Sequence, residues 1–452
     1  MCGSYAITVA SVVMTPPAIM WFRRDLRLSD HPALLAAADA GEVLPLFVLD
    51  DRLLRPAGEP RRRFLYDCLR ALDHDLGGRL HIVAGDPERV VPEIAGKIGA
   101  GSVHVSADTG PYGRDRDDRV LKALGDIDFV RTGSPYAVTP GRVRKSDGQP
   151  YRVFTPFRRA WLDHGWRKPA MSGVDSAQWT MLKGGGKIPA GKSELPAGEA
   201  PALEAWQDFR DGALADYDTG RDRPDRDGTS RLSAYLRWGN VHPRTLLADL
   251  RPGNETFRSE LAWREFHADV LWHQPHTARE NYDRRFDKFR HDTGKTAQQR
   301  FEAWCEGRTG YPVVDAGMRQ LLAENWMHNR VRMIVASFLV KDLHLPWWWG
   351  ARHFMRHLID GDLASNQHNW QWVAGCGTDA APYFRIFNPI TQGEKFDPNG
   401  DYVRKYVPEL RGVRGKTVHK LDRLPADYPA PVVDHAHERQ VSLDRYAAIR
   451  TT

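Results

Sequence analysis

Residues 326–343 read WMHNRVRMIVASFLVKDL, and this stretch decides the character of the C-terminal half of the chain. Its apolar residues recur at intervals of three and four, which predicts an amphipathic helix from His328 to Leu343. Asn329 and Met333 would share one face of this helix, because residues four apart are neighbours on a helix surface. The stripe that would pack into a core consists of Val331, Ile334, Val335 and Phe338. The other face can therefore present an amide, a thioether and Arg330 to a bound molecule.

Residues 360–372, DGDLASNQHNWQW, carry a second group of polar and aromatic side chains. Asp360 and Asp362 flank a glycine, and two carboxylates around a residue without a side chain suit ribose hydroxyls or an arginine beside a bulky cofactor. If this piece is helical, Trp370 and Trp372 lie about 200° apart. The spacing therefore predicts that one of these indoles faces a pocket while the other points away.

The composition permits several domains and a nucleic-acid partner. The 452 residues are enough for two or three domains with a sizeable core. Lys and Arg number 64 against 58 Asp and Glu, and this net charge of +6 allows a polyanionic partner without demanding one. Fifteen tryptophans are many, and such residues pack cores or stack on flat ligands.

The four cysteines are far apart and form no Cys-x-x-Cys pair, so neither a disulfide frame nor a zinc site is indicated. Reduced cysteines are typical of a cytoplasmic protein. No run of eighteen apolar residues occurs, so no membrane span is predicted. Residues 1–16 lack the basic start of a signal peptide, and we expect them to be a disordered or mis-assigned extension, with Met14 and Met20 as alternative starts.

Residues 17–133 alternate short apolar runs with helical stretches, which predicts an α/β domain with a doubly wound parallel sheet. The first run is followed by RRDLRLSDHPAL and not by Gly-x-Gly-x-x-Gly, so the usual dinucleotide fingerprint is absent. The predicted strands are AIMWF, VLPLFVL, LHIVAG, SVHVSA and DFVRTG.

Residues 134–170 are rich in Arg, Pro and aromatics, and residues 171–200 are rich in Gly, Lys and Pro. Together, residues 134–200 are predicted to be an irregular linker between the domains. Within them, residues 186–193 (GKIPAGKS) match the phosphate-binding P-loop pattern letter for letter. That loop works only between a buried strand and a helix whose N-terminus meets the phosphates. Here Glu-Leu-Pro follows, so we interpret the match as a coincidence.

Beyond about residue 201 the strand signal disappears and helical periodicity dominates, which predicts an all-α domain over 201–452. The tail after Pro408 is short and polar. The predicted helices are Leu203 to Tyr217, Arg231 to Gly239, Ser259 to Gln274, Arg300 to Gly307, Val314 to Ala323, His328 to Leu343 and Ala351 to Ile359.

Several long motifs together resemble the photolyase/cryptochrome family, and most closely its class I cyclobutane pyrimidine dimer photolyases. The resemblance covers nearly the whole chain past residue 17. It implies an antenna domain at 17–133, a linker at 134–200 and an all-helical FAD-binding catalytic domain at 201–452. The motifs are WFRRDLRLSDHPAL at 21–34, GTSRLSAYLRWG at 228–239, ELAWREF at 260–266, TGYPVVDAGMRQL at 309–321, the stretches 326–343 and 360–372, and GTDAAPYFRIFNPITQGEKFD at 377–397.

The resemblance also implies the residues that hold FAD. Hydroxyls and a guanidinium before a helix suit a diphosphate, although the Thr-Ser pair by itself is more typical of an ordinary N-cap. Arg332 and Asp360 are expected to form an internal ion pair beside the flavin, and Asn366 to lie by its reactive nitrogen. The implied FAD contacts are Tyr217, Thr229, Ser230, Arg231, Leu232, Ser233, Phe257, Arg264, Arg332, Asp360, Gly361, Asp362 and Asn366.

The implied activity is light-driven repair of single- or double-stranded damaged DNA. Reduced FAD would give an electron to a flipped-out pyrimidine dimer, whose rings need flat walls and whose edges need polar partners. Glu260 is the candidate for stabilising charge on the dimer, and Met333 favours the cyclobutane lesion over the (6-4) lesion. The implied substrate pocket consists of Glu260, Trp263, Asn329, Arg330, Met333 and Trp372.

Two further features follow from the family pattern. Trp370 and Trp347 match the inner members of a tryptophan chain that reduces the flavin, but residues 291–294 contain no tryptophan for the outer position. Residues 112–117 (YGRDRD) resemble relatives with a deazaflavin antenna more than those with a folate, and no antenna is the remaining alternative. The candidates for the outer position are Trp304, Trp348 and Trp349, and Gln367-His368-Asn369 stands where relatives carry small residues.

Three other functions remain open at this point. A cryptochrome-like light sensor would bind FAD without repair, although the short tail and the complete substrate set favour an enzyme. A (6-4) photolyase and a P-loop hydrolase are weaker alternatives. We expect a monomer.

Overall fold

The computed structural model describes residues 15–170 and 177–450, so most of the predicted extension at 1–16 lies outside the described residues. The N-terminal part contains a five-stranded, all-parallel sheet in the order β3-β2-β1-β4-β5. This confirms the predicted α/β fold. The strands are β1 (Ala18–Phe22), β2 (Val43–Leu49), β3 (His81–Ala84), β4 (Ser102–Val105) and β5 (Asp128–Arg131).

The strands β1 and β2 are buried on both faces, which explains why they read as continuous apolar runs. The chain proceeds outward from β1 to β3 and then returns to place β4 on the other side of β1. The carboxyl ends of β1 and β4 therefore border a crevice of the kind in which doubly wound sheets bind ligands. The helices of this part are α1 (Pro32–Ala40), α2 (Asp51–Leu54), α3 (Glu59–Asp75), α4 (Pro87–Ile98) and α5 (Pro111–Leu124).

The segment 134–200 is not wholly irregular, and that prediction is wrong over α6 (Phe154–His164). This helix buries Phe154, Phe157 and Trp161 along one face. Residues 186–193 run without a helix until α7 begins at Glu199, so they lack the strand-loop-helix context that a P-loop requires.

The C-terminal part is helical, as predicted. The predicted helix from His328 to Leu343 ends sooner, because residues Phe338–Asp342 form a π-helical turn. The last helix was not predicted. The helices are α7 (Glu199–Asp211), α8 (Tyr217–Gly220), α9 (Ser233–Trp238), α10 (Pro243–Asp249), α11 (Glu255–His273), α12 (Gly294–Cys305), α13 (Pro312–Glu324), α14 (Asn329–Ser337), α15 (Trp347–His357), α16 (Leu363–Ala374), α17 (Pro389–Phe396), α18 (Asp401–Tyr406) and α19 (His435–Arg450).

The loop after β1 locks the two parts together. Leu26 N donates to the Trp238 carbonyl at the end of α9, and Arg27 Nη1 donates to the Gly239 carbonyl. Gly239 has φ +70°, and a Cβ there would lie 2.1 Å from the Arg24 carbonyl oxygen. Only glycine permits this approach. The α/β part therefore contributes directly to the position of the helices around the site.

Within 15–170 and 177–450, no helix is long and apolar enough to cross a membrane. The same residues contain no group of three His, Cys, Asp or Glu that could hold a metal ion.

Candidate active site

A cavity of about 430 Å³ lies in the helical part, between the turn before α9 and helices α11, α14 and α16. Every residue predicted to hold FAD borders this cavity. Of the predicted substrate residues, Arg330 is the exception and does not border it. The substrate residues that do border the cavity are Glu260, Trp263, Asn329, Met333 and Trp372.

Helix α11 forms one wall. Phe257, Glu260 and Arg264 lie at intervals of three and four, so their side chains share one helix face. Phe257 is buried, and its ring meets the ring of Tyr217 edge-on at 5.3 Å. Arg264 donates to the carbonyls of residues 135 and 236, at 2.9 and 3.1 Å. These contacts hold a cation and an aromatic surface in fixed positions against the cavity.

Glu260 is paired with an arginine that the sequence analysis missed. Arg221 Nη1 lies 2.6 Å from Glu260 Oε1, and both side chains are half-buried and border the cavity. Burial raises the pKa of the Glu260 carboxyl, while Arg221 beside it opposes the shift. Glu260 therefore keeps its proton to a higher pH than an exposed glutamate. The spacing in the sequence does not link the two residues, because Arg221 is the C-cap of α8 whereas Glu260 lies on α11.

Trp263 is held flat by an aromatic partner from α6. Its ring stacks on Phe154 with centroids 3.7 Å apart and planes 9° apart. Phe154 itself is fixed by a hydrogen bond from its N–H to Asp379 Oδ2 at 3.2 Å. Trp372 also borders the cavity. The cavity therefore has indoles from two different helices, α11 and α16.

The prediction that only one of Trp370 and Trp372 faces the pocket is wrong, because both border the cavity. Trp370 is 2% exposed, whereas Trp372 is half-buried. Trp370 also packs edge-on against Phe354 at 5.0 Å. An indole is wide enough to touch the cavity with one edge while its other faces pack in the core.

Arg330 does not face the predicted pocket. Its Nη2 lies 2.7 Å from Asp222 Oδ1, and its guanidinium lies 4.5 Å from the ring centre of Phe396. Asn329 and Met333 are one turn apart on α14 and face the cavity, whereas the next residue after Asn329 is rotated by about 100°. That rotation, together with an acidic partner elsewhere in the chain, explains the error.

The expected ion pair between Arg332 and Asp360 is present. Arg332 Nη2 lies 2.9 Å from Asp360 Oδ2, and Arg332 Nε donates to the Met327 carbonyl at 2.8 Å. The Asp360 side chain is 3% exposed. Loss of either partner would leave a buried charge unpaired, at a cost of about 3–5 kcal/mol.

Asp362 joins the cavity to the α/β part. One of its oxygens lies 2.6 Å from Arg24 Nη2, and the other accepts the Ser365 N–H at 3.1 Å as the N-cap of α16. Burial acts to raise the pKa of this carboxyl, but the guanidinium groups of Arg24, Arg237 and Arg264 outweigh it and hold the pKa well below its usual range. Asp362 is therefore ionised at neutral pH.

The turn before α9 presents backbone N–H groups. Arg231 has φ +48°, and its guanidinium lies 4.4 Å from the ring centre of Trp326. The N-cap residue Leu232 makes no side-chain cap for the first turn of α9, and just before that turn Ser230 Oγ accepts the Leu232 N–H at 3.5 Å. The free N–H groups of the first turn suit an anion.

Asn366 occupies the first turn of α16 and is surrounded by residues that the sequence analysis did not explain. Its Nδ2 donates to the Ala351 carbonyl at 3.1 Å and to Gln367 Oε1 at 2.8 Å. His368 stacks with His267, which borders the cavity, at a centroid distance of 5.9 Å. Burial lowers the pKa of His267 to about 4 and that of His368 to about 3, so both rings are neutral.

Tryptophans beside and beyond the cavity form two separate pairs. Trp370 meets Trp304 edge-on at 6.1 Å, and Trp304 is fully buried. Trp347 donates its indole N–H to Asn281 at 2.8 Å and meets Trp348 edge-on at 5.9 Å. Trp348 is half-buried and borders the crevice described next.

A larger cavity of about 1250 Å³ occupies the crevice between the carboxyl ends of the strands and the helical part. Trp21, Tyr112 and Trp238 give it aromatic surface, and Tyr112 donates its hydroxyl to Asp50. Its basic residues suit an anionic ligand. They include Arg23, Arg24, Arg61, Arg116, Arg237 and Arg352.

The donors around the smaller cavity fit FAD. Arg264 and the uncapped first turn of α9 suit the diphosphate, and the carboxylates of Asp360 and Asp362 suit hydroxyls or ring N–H groups. Asn366 supplies an uncharged polar group for the flavin ring. The Nε1 atom of Trp370 is buried without a partner among the residues described. These are the chemical groups that the resemblance predicted.

Comparison with known proteins supports this interpretation. Residues 18–173 match the family model of DNA photolyase, and residues 257–448 match the FAD binding domain of DNA photolyase. A deoxyribodipyrimidine photo-lyase of Agrobacterium fabrum is 40% identical over 97% of this chain and 99% of its own. A bacterial class III photolyase from Agrobacterium tumefaciens has 38% identity and a TM-score of 0.90, over 98% of this chain and 100% of its own.

An archaeal photolyase from Sulfolobus tokodaii, whose crystal structure contains two FAD molecules, has 31% identity and a TM-score of 0.85. The match covers 96% of this chain and 100% of that one. The fold, the cavity and these similarities agree, and the chain belongs to the photolyase/cryptochrome family.

Proposed function

We propose that this protein is a deoxyribodipyrimidine photo-lyase, which binds damaged DNA and uses light to split cyclobutane pyrimidine dimers. The observation that best supports it is a single cavity. The residues matched to FAD binding and all the residues matched to dimer binding except Arg330 border the same space, with Trp263 and Trp372 among them. Curated relatives at 35–41% identity carry this enzyme name.

FAD, when bound and reduced, would supply an electron on absorbing blue or near-ultraviolet light. The protein would contribute binding, orientation and a dry environment. Trp263 and Trp372 offer flat apolar walls for the pyrimidine rings, and Asn329 offers an amide to their polar edges. Glu260, whose pKa is raised by burial, can donate a hydrogen bond to negative charge on the dimer.

We propose Trp348 as the outer member of the tryptophan chain. It meets Trp347 at 5.9 Å and is half-buried beside the large crevice, so a charge on it can be exchanged with solvent. Trp304 is fully buried and has no such access. Trp349 meets Trp304 only through Phe301, at 5.2 and 5.9 Å, and a phenyl ring is a poor carrier of an electron hole.

We propose that the large crevice holds an antenna chromophore, and a deazaflavin remains our preference. The aromatic and basic lining suits a flat, anionic chromophore. The two FAD molecules in the Sulfolobus tokodaii photolyase show that a relative accommodates a second flavin. The absorption spectrum of the purified protein tests this, because FAD, a deazaflavin and a folate have distinct bands.

The class I assignment stays a prediction, because the Agrobacterium tumefaciens relative is described as class III. The domain limits at 133 and 200, the cytoplasmic location and the monomeric state are likewise predictions from the sequence.

The function is tested with the purified, photoreduced protein and single-stranded DNA that carries thymine dimers. We expect blue light to remove the dimers and darkness to leave them intact. Dimers that persist under light in a protein with bound FAD would support the light-sensor alternative. Parallel DNA with (6-4) lesions, which we expect to stay unrepaired, separates the second alternative.

A further inference from the structure

Gln367 connects the candidate FAD cavity to the neighbouring backbone through Asn366. Asn366 Nδ2 donates to the Ala351 carbonyl at 3.1 Å and to Gln367 Oε1 at 2.8 Å. Gln367 Nε2 donates to the Ala278 carbonyl at 2.7 Å. Both side chains are 9% exposed. Two adjacent amides are therefore held between carbonyls from α15 and from a 3₁₀ turn (Pro275–Ala278) that follows α11.

The orientation of both amides follows from their partners. A backbone carbonyl accepts hydrogen bonds and cannot donate them, so the atom of Gln367 facing Ala278 must be nitrogen. Its oxygen then faces Asn366. The atom of Asn366 facing Ala351 must also be nitrogen. Both hydrogens of the Asn366 amide are thereby used inside the protein, and Oδ1 takes part in no hydrogen bond among the residues described.

We propose that Gln367 is a positioning residue that sets the preference of the site for reduced over oxidised flavin. The inference rests on the proposed function, since it requires FAD in the cavity. Asn366 borders that cavity and can offer it only an acceptor oxygen. The reactive flavin nitrogen carries a hydrogen in the reduced form and only a lone pair in the oxidised form, so an acceptor favours the reduced form.

The glutamine at this position thus has a definite physical consequence. Without the Gln367 oxygen, one amide hydrogen of Asn366 is left unpaired, and the Asn366 side chain can rotate to donate a hydrogen bond to the oxidised flavin ring. With the Gln367 oxygen in place, the same rotation would break both hydrogen bonds that the Asn366 amide donates. A small residue at position 367 would exert no such control. Gln367 is accordingly a device of this chain rather than a requirement for holding the cofactor.

The test is the midpoint potential of bound FAD, measured in the dark by spectroelectrochemistry on the FAD-loaded protein. We expect Gln367→Met to weaken the preference for reduced over oxidised FAD about tenfold, the effect of one hydrogen bond. For a two-electron couple, a tenfold change is about 30 mV, here toward more negative potential. In an Asn366→Leu background the same substitution should have no further effect, because Gln367 acts through Asn366.

Gln371→Met is the matched control. Gln371 is a fully buried amide of the same helix, which accepts from Tyr282 N at 2.8 Å and donates to the Thr277 carbonyl at 2.9 Å, and it does not border the cavity. The Gln371→Met variant should be less stable than the wild-type protein, but the midpoint potential of its bound FAD should be unchanged. If Gln367→Met does not fold, the infrared difference spectrum between the oxidised and reduced wild-type protein provides the test. We expect it to contain an amide carbonyl band that is absent from the spectrum of Asn366→Leu.

An unchanged potential with FAD bound, an equal shift in the Asn366→Leu background, or no such infrared band would overturn the inference while leaving the proposed function intact. A wild-type protein that takes up no FAD would instead overturn the proposed function.

Discussion

The Glu260 carboxylate lies 2.6 Å from the Arg221 guanidinium, and both groups border the candidate active site. The pair places a carboxyl group, whose pKa burial raises, beside a cation where negative charge would develop on the substrate. We predict that Glu260→Ala lowers repair per absorbed photon by about tenfold or more, because a hydrogen bond to a charged group contributes about 1.5–3 kcal/mol. FAD content should be unchanged. The measurement is dimer loss per absorbed photon at a fixed content of reduced flavin.

Arg221→Met provides the comparison. Arg221 lowers the pKa of Glu260, so its removal should keep the carboxyl protonated to still higher pH and preserve repair. Equal losses in the two variants would show that the ion pair, and not the carboxyl proton, is what matters.

Asp362 and Arg24 couple the cavity to the α/β part, and a second prediction concerns their charges. Asp362→Asn keeps an oxygen for the N-cap of α16 but leaves Arg24 without its carboxylate partner. We expect the free energy of unfolding to fall by about 3–5 kcal/mol, as when one member of a buried pair is removed. Urea unfolding at pH 7 measures this.

Asp51→Asn is the control for that substitution. It removes an exposed pair with Arg55, 3.1 Å apart, in the α/β part to which Arg24 also belongs, and it should leave the midpoint of unfolding unchanged. A loss in Asp362→Asn no larger than in this control would contradict a buried ionic role for Asp362.

A third prediction concerns the tryptophan chain. Trp348→Phe should slow photoreduction of oxidised FAD at least tenfold, because the half-buried end of the chain is lost. Repair by chemically reduced protein should be unaffected. Trp349→Phe is the matched control, because Trp349 is the next residue in the sequence and its ring contacts Phe301 rather than Trp347. Transient absorption measures both variants, and equal slowing would assign the outer position elsewhere.

The strands were predicted correctly because each is a short apolar run, and two of them, β1 and β2, match the predicted limits residue for residue. Such runs arise where a parallel strand is buried on both faces, so burial is legible in the sequence itself. The helix face shared by Asn329 and Met333 could also be predicted from the sequence, because the two residues are one helical turn apart.

Other features depend on partners far away in the chain. Helix α19 was missed because much of what it buries is polar, and it is held by contacts such as His344 with Glu438 at 2.7 Å. Arg330 was misplaced because Asp222 draws it away from the cavity. Arg24 lies in the loop after β1, far from Asp362 in the sequence, and reaches the site through its ion pair with that residue. Hydrophobic periodicity carries no signal for such pairings.

The last prediction concerns pH. Glu265 lies on α11 and accepts three hydrogen bonds, from Ala137 N at 2.5 Å, Val138 N at 3.0 Å and Trp161 Nε1 at 2.6 Å. Burial raises its pKa to about 7 against the opposing effect of these hydrogen bonds. The folded state then binds the proton more tightly than the unfolded chain, whose pKa is near 4.5. Stability is therefore highest below pH 4.5 as far as this group is concerned, and it falls as pH rises to about 7.

Glu265→Gln cannot titrate, so it should remove this part of the pH dependence. The amide nitrogen would also face a backbone N–H in place of one carboxylate oxygen, and this mismatch should cost about 1–3 kcal/mol at every pH. Urea unfolding at pH 5 and pH 7.5 separates the two effects, because the wild-type protein should lose on the order of 2 kcal/mol more than the variant between these values. Asp269, whose pKa burial raises to about 6, titrates in both proteins and cancels in the difference. Parallel pH profiles for the two proteins would mean that the three hydrogen bonds, and not burial, control the ionisation of Glu265.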